Sequence, residues 1–97
     1  MERQPIETVV LKAIRDLNLA RDPHERIEVS SKARIFGGES PLDSIGLVAL
    51  LIDIEDAMAQ KGYTITLMDE KAMSQQKSPF RDVQSLVSYL VTLISQA

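Results

Sequence analysis

The sequence contains no cysteine and no tryptophan, and only two tyrosines and two phenylalanines among 97 residues. The missing cysteine excludes disulfides, thiolate metal sites and a protein-borne thiol nucleophile. A single histidine, His24, lies in the polar turn Asp22-Pro23-His24-Glu25. It reads as a solvated loop residue, so no serine has the neighbouring base that a hydrolytic triad needs. There are only four glycines. Neither Gly37 nor Gly38 leads into the Gly-Lys-Ser/Thr of a phosphate-binding loop, and Gly38-Glu39-Ser40-Pro41 lacks the second glycine of a nucleophile elbow. No apolar run approaches the roughly 20 residues of a membrane span. The stretch Met1–Pro5 has none of the apolar character of a signal peptide, and a cytoplasmic location is expected.

What is present fits one folded domain. An apolar content of 44% is too high for a disordered tail. A chain of this length buries about 60–70% of its unfolded surface, enough for one modest core. Charge is unevenly spread. Residues 1–34 carry seven Lys/Arg against six Asp/Glu, whereas residues 35–70 carry seven Asp/Glu against Lys61 alone. The acidic middle argues against a nucleic-acid partner and for a basic protein surface; an ordinary solvated face is the plainer alternative.

Periodicity predicts a small all-α, four-helix bundle with a long first loop. Ile6, Val10, Ala13, Ile14 and Leu17 recur at helical spacing over about residues 5–19, with Pro5 in the first turn and Asp22-Pro23 ending the helix. Residues 21–43 form a connection long enough to be functional. Ile27 and Val29 suggest a short extended piece, and Ile35 and Phe36 should pin the loop to the core. A second helix is expected over about 44–61, capped by Asp43 and stopped at Gly62. Residues 63–67 alternate like a strand but have no convincing partner, so they read as an extended loop with Ile65 and Leu67 tucked in. A short helix over 70–75 and a last one over 82–95, capped by Asp82, complete the fold. The last stripe is Val83, Leu86, Val87, Leu90, Leu93 and Ile94.

The second helix is apolar on two sides. At about 100° per residue, Leu47, Leu50, Leu51, Ile54 and Met58 form a core stripe. Ile45, Val48, Ile52 and Ala59 form another, with Ser44, Glu55 and Asp56 on or beside it. One stripe suffices for a bundle this small. The second is either covered by the first helix or the loop, or exposed as a docking patch or oligomer contact. Asp53, Glu55 and Asp56 lack calcium-loop spacing, and Glu55 and Asp56 point about 100° apart, so neither a metal site nor paired catalytic carboxylates is expected. The chain carries no catalytic machinery of its own. What remains is Ser44, a hydroxyl at a helix N-terminus, where amide groups and the helix dipole favour an added phosphate group. Read alone, Asp43-Ser44 is also an ordinary cap.

The order helix, long loop, Leu42-Asp43-Ser44-Ile45, amphipathic helix, short helix, last helix resembles the acyl carrier protein family. The resemblance spans about residues 5–95. It is most specific over Leu42–Asp56 and is supported again by Val83, Leu86 and Tyr89. It implies 4′-phosphopantetheine attached to Ser44, delivered from coenzyme A by a phosphopantetheinyl transferase. The cofactor would then bring the sulfur that the chain lacks and carry an acyl or aminoacyl thioester. Asp43 belongs to the attachment motif. Ile45, Val48 and Ile52 match positions that meet partner enzymes, namely loading ligases or transferases and downstream synthases. Glu55 and Asp56 match acids that pair with basic partner surfaces. The interior near Leu50, Ile54, Ile65 and Leu90 could shelter a fatty chain. Gly46 and Ala49 stand where many fatty-acid carriers have acids. This departure, with the long lead-in 36–41 and the long segment 68–79, implies a specialised, monomeric, stand-alone carrier of a lipid, polyketide or other secondary pathway. The alternative of another class is an unmodified helical interaction module in which Ser44 is only a cap.

Overall fold

A tertiary override, rather than proline, decides where the first helix ends. In the computed structural model, which describes residues 2–36, 42–67 and 80–96, α1 spans Arg3–Asn18. The expected helix over about residues 5–19 is thus matched to within two residues at each end, and the chain leaves it before Asp22-Pro23; Pro23 opens the 3-10 turn Pro23–Glu25. Asn18 is the reason. Its side chain is 9% exposed, donates from Nδ2 to the Ile27 carbonyl at 2.7 Å and accepts the Ile27 N–H on Oδ1 at 2.9 Å. A residue at the apolar face of α1 thus clasps both backbone groups of a buried loop residue. The chain must turn after Asn18 to bring Ile27 back, and it does so through turn bonds from Leu19 to Asp16 and from Ala20 to Leu17.

Helix α2 spans Ser44–Gln60. Its stop is at Gly62, as the glycine predicts. Gly62 has φ of 93°, its N–H donates to the Ala59 carbonyl, and the Tyr63 N–H reaches back to Met58. This paired pattern satisfies the last carbonyls and needs the left-handed backbone that glycine adopts freely. Helix α3 spans Val83–Gln96, with Asp82 accepting from the Ser85 N–H at 2.7 Å. The described residues carry these three helices in an all-α arrangement. The short helix expected over 70–75 lies outside them.

α1 packs against both α2 and α3. The core stripes match the helical periods: Ile6, Val10, Ala13 and Ile14 from α1, Leu47, Leu50, Leu51, Ile54 and Met58 from α2, and Val83, Leu86, Val87, Leu90 and Ile94 from α3 are all buried. Leu17 and Leu93 are only partly buried. Val9 joins the core as well; it follows Ile6 by three residues and widens the face with which α1 meets two helices.

The described part of the long connection is held by its own apolar residues. Ile27, Ala33, Ile35 and Leu42 are buried and Phe36 packs against the core. No strand forms at Ile27–Val29, where Val29 is exposed. The extended pairing lies farther on, an antiparallel bridge between Arg34 and Asp82 closed by Ile35 N–H to Arg81 and Val83 N–H to Ala33. The loop that leads to Ser44 is thereby fastened to the first turn of α3. Residues 63–67 form neither helix nor strand, with Leu67 fully buried and Ile65 partly so.

Candidate functional site

The first turn of α2 is built by its lead-in. Asp43 adopts extended backbone geometry and its Oδ1 accepts the Gly46 N–H at 2.8 Å, while its carbonyl accepts from Leu47 at 2.9 Å. Ser44 is the first residue of the helix that this cap opens. One orphan donor of the first turn is satisfied by the cap. Leu42, 4% exposed, is drawn into the core just before it.

Gly46 is buried beneath that leucine. A Cβ added there would lie 2.5 Å from Leu42 Cδ1, 3.2 Å from Leu42 Cγ and 3.2 Å from Asp43 Oδ1. On helix propensity alone, glycine costs roughly 0.5–1 kcal/mol relative to alanine. Here the contact reverses the sign. Leu42 is enclosed and must shift against the core to admit even a methyl group. Gly46→Ala is therefore expected to destabilise the domain by about 1 kcal/mol net, since overpacking costs about 1–3 kcal/mol. Urea titration of the two proteins checks this; a variant with a raised midpoint would contradict it. An acidic side chain meets the same obstruction, so packing against Leu42 disfavours an acid at position 46.

Beyond that turn, the second apolar stripe of α2 is open. Ile45 is 81% exposed and Ile52 is 44% exposed, Ala59 is exposed, and Val48 is half-buried. Ile45, Ile52 and Ala59 are thus left open by α1 and by the described part of the long loop. The two acids beside the stripe differ in role. Asp56 is exposed and lines a groove between α1 and α2. Glu55 is half-buried, and its Oε2 accepts the Leu67 N–H at 3.2 Å, so this carboxylate fastens the chain that follows α2. On the opposite side of the helix, Leu50 and Ile54 are fully buried with Leu90 of α3, and Ile65 packs partly against them. His24 is exposed in its turn. Among the described residues, no group of three His, Asp or Glu side chains is arranged to hold a metal ion, and no helix is long and apolar enough to cross a membrane.

Three features lie beyond the sequence reading. The Asn18 clasp had a signal, an amide four residues after Ile14 on an otherwise apolar face. The Glu55–Leu67 bond had none, because an acid at a stripe's edge looks the same whether it meets water or backbone. The α1–α2 groove brings Lys12 and Asp16, which fall on the outer side of α1 by period, alongside Asp53 and Asp56. No family model, curated protein or solved structure matches the chain.

Proposed function

We propose that the chain is a carrier protein that is modified on Ser44 with 4′-phosphopantetheine and presents an acyl or aminoacyl thioester to partner enzymes of a specialised lipid, polyketide or other secondary pathway. One observation carries the reading most. Two exposed residues of the second α2 stripe, Ile45 and Ile52, lie just after and two turns beyond the helix start opened by Asp43-Ser44, and both are outside the core. A partner that must reach the serine would find an apolar surface beside it, with the Asp43 carboxylate at its edge.

The residues fit such a group. A phosphodiester placed at the first residue of a helix meets the positive end of the helix dipole and amide donors. In the attachment step, the Ser44 hydroxyl oxygen would bond to the β-phosphorus of coenzyme A as the bond to 3′,5′-ADP breaks. The serine proton would pass to a base of the transferase. Asp43 keeps the first turn wound while this happens, because its carboxylate is committed to Gly46 N–H. When bound, the arm supplies the thiol that carries the cargo. Ile45, Val48 and Ile52 offer the contact face, and Asp56 adds charge at its edge. Glu55 serves the same edge only in part, since one of its oxygens holds Leu67. Leu50, Ile54 and Leu90 form the interior that a fatty chain would have to part.

The test is direct. Incubation with coenzyme A, magnesium and a broad-specificity phosphopantetheinyl transferase is expected to raise the intact mass by one phosphopantetheine. Ser44→Ala should abolish the gain without changing helicity. No gain with several transferases would overturn the reading and leave the interaction module, for which the same open stripe would bind a partner without modification.

A further inference from the structure

We infer that the surface beside Ile45 and Ile52 continues off α2 into the α1–α2 groove and that it takes a cationic amphipathic helix of a partner protein. The argument begins with the order of residues around α2. At about 100° per residue, Asp56 follows directly on the azimuth of Ile45 and Ile52, and Gln60, Asp53 and Ala57 come next in turn. Asp53, Asp56, Ala57 and Gln60 all line the groove. The open stripe and the groove are therefore one continuous surface.

The groove has the composition of a docking site for such a helix. Val9, Ala13 and Ala57 give it an apolar floor, and Asp16, Asp53 and Asp56 stand exposed along it. Among the described residues, none of these three carboxylates has an ion-pair partner. Lys12 and Lys61 share the groove, but each carries its charge on a four-carbon stem that can swing into water. Aspartate side chains have no such reach, so the negative groups stay where the backbone puts them. On α1 the groove runs from Pro5 to Asp16, a rise of roughly 16 Å, which matches about three turns of a partner helix. A helix laid there would bury its apolar face against Ile45, Ile52 and the groove floor, with cations along one edge meeting the three aspartates.

This surface exists whether or not Ser44 is modified, so it can be tested separately from the carrier reading. The probe is a synthetic amphipathic helix of leucine and lysine, about four turns long, added to the isotopically labelled full chain. Amide shifts are expected at residues 8–16 and 45–61, with affinity falling as salt is raised. The triple variant Asp16→Asn, Asp53→Asn, Asp56→Asn should bind roughly tenfold more weakly at low salt and lose most of the salt dependence, with unchanged helicity. Ile45→Ser with Ile52→Ser should also weaken binding, whereas Ser44→Ala should not. Shifts confined to other residues, or a triple variant that binds as tightly as the parent, would overturn the inference. So would concentration-dependent shifts at these same residues without peptide, because the occupant would then be a second copy of the chain. Failure of Ser44 to accept phosphopantetheine would leave this result standing.

Discussion

Phe80→Ala is expected to lower the free energy of unfolding by about 3–5 kcal/mol, the range found when a large buried aromatic is truncated. Phe80 is fully buried and meets Tyr89 edge-on, with ring centroids 6.1 Å apart at 75°. It also sits beside the backbone bridge that joins Ala33–Ile35 to Arg81–Val83. The ring therefore anchors the start of α3, next to the backbone bonds that hold Ala33 and Ile35 there. A domain this small has a total stability of roughly 5–15 kcal/mol, so the loss would take a large part of it. The thermal midpoint should fall by more than 10 °C, at about 4–8 °C per kcal/mol. Urea and thermal unfolding followed by circular dichroism measure it. A loss below about 1 kcal/mol would mean that the site collapses around the deleted ring.

Asn18→Ala is expected to cost about 2–4 kcal/mol, nearly as much, for a different reason. Removing the amide leaves the Ile27 N–H and carbonyl without their partner while Ile27 remains 4% exposed. Each buried group left unsatisfied costs about 1–3 kcal/mol. Arg26 Nε, which donates to the Asn18 carbonyl at 3.0 Å and the Arg21 carbonyl at 3.1 Å, binds backbone and would not replace the lost contacts. Asn18→Asp separates the two halves of the clasp. It keeps an acceptor for the Ile27 N–H but sets an oxygen against the Ile27 carbonyl, so it should be no better than alanine. Hydrogen exchange at the Ile27 amide should accelerate in both variants beyond what global destabilisation explains. Unchanged protection at Ile27 would show that the loop holds itself.

The helices were legible because they are regular. A period of 3.6 sorts Leu47, Leu50, Leu51, Ile54 and Met58 onto one side, and all five are buried. Caps were legible because they are local: Asp43, Asp82 and Gly62 act within three or four residues of themselves. What escaped the sequence was long-range or depended on neighbours. The pairing of Arg34 with Asp82 joins residues about half the chain apart, and no local pattern records it. The role of Glu55 depends on where Leu67 returns. Gly46 shows the same limit at short range. Its spacing says that an acid is missing from the turn, whereas only the packed Leu42 side chain says why. For the candidate site, the sequence singled out Ser44 and the second stripe. It could not say whether that stripe was covered, and the exposure of Ile45 and Ile52 answers this within the described residues. The contribution of α1 to the adjoining surface could not be read from α2 alone.

The two sides of α2 also differ in what they permit over generations. Leu47, Leu50, Leu51, Ile54 and Met58 answer to the core, and a change at any of them is felt by the whole domain. Ile45 and Ile52 answer chiefly to whatever lies outside. Only half-buried Val48 serves both. A helix whose folding residues and outward residues hardly overlap lets the outward set drift one substitution at a time, with a folded protein at every step. Such a chain is free to exchange one partner for another by point mutation, while the turn that bears Ser44 stays locked by Leu42 and Gly46.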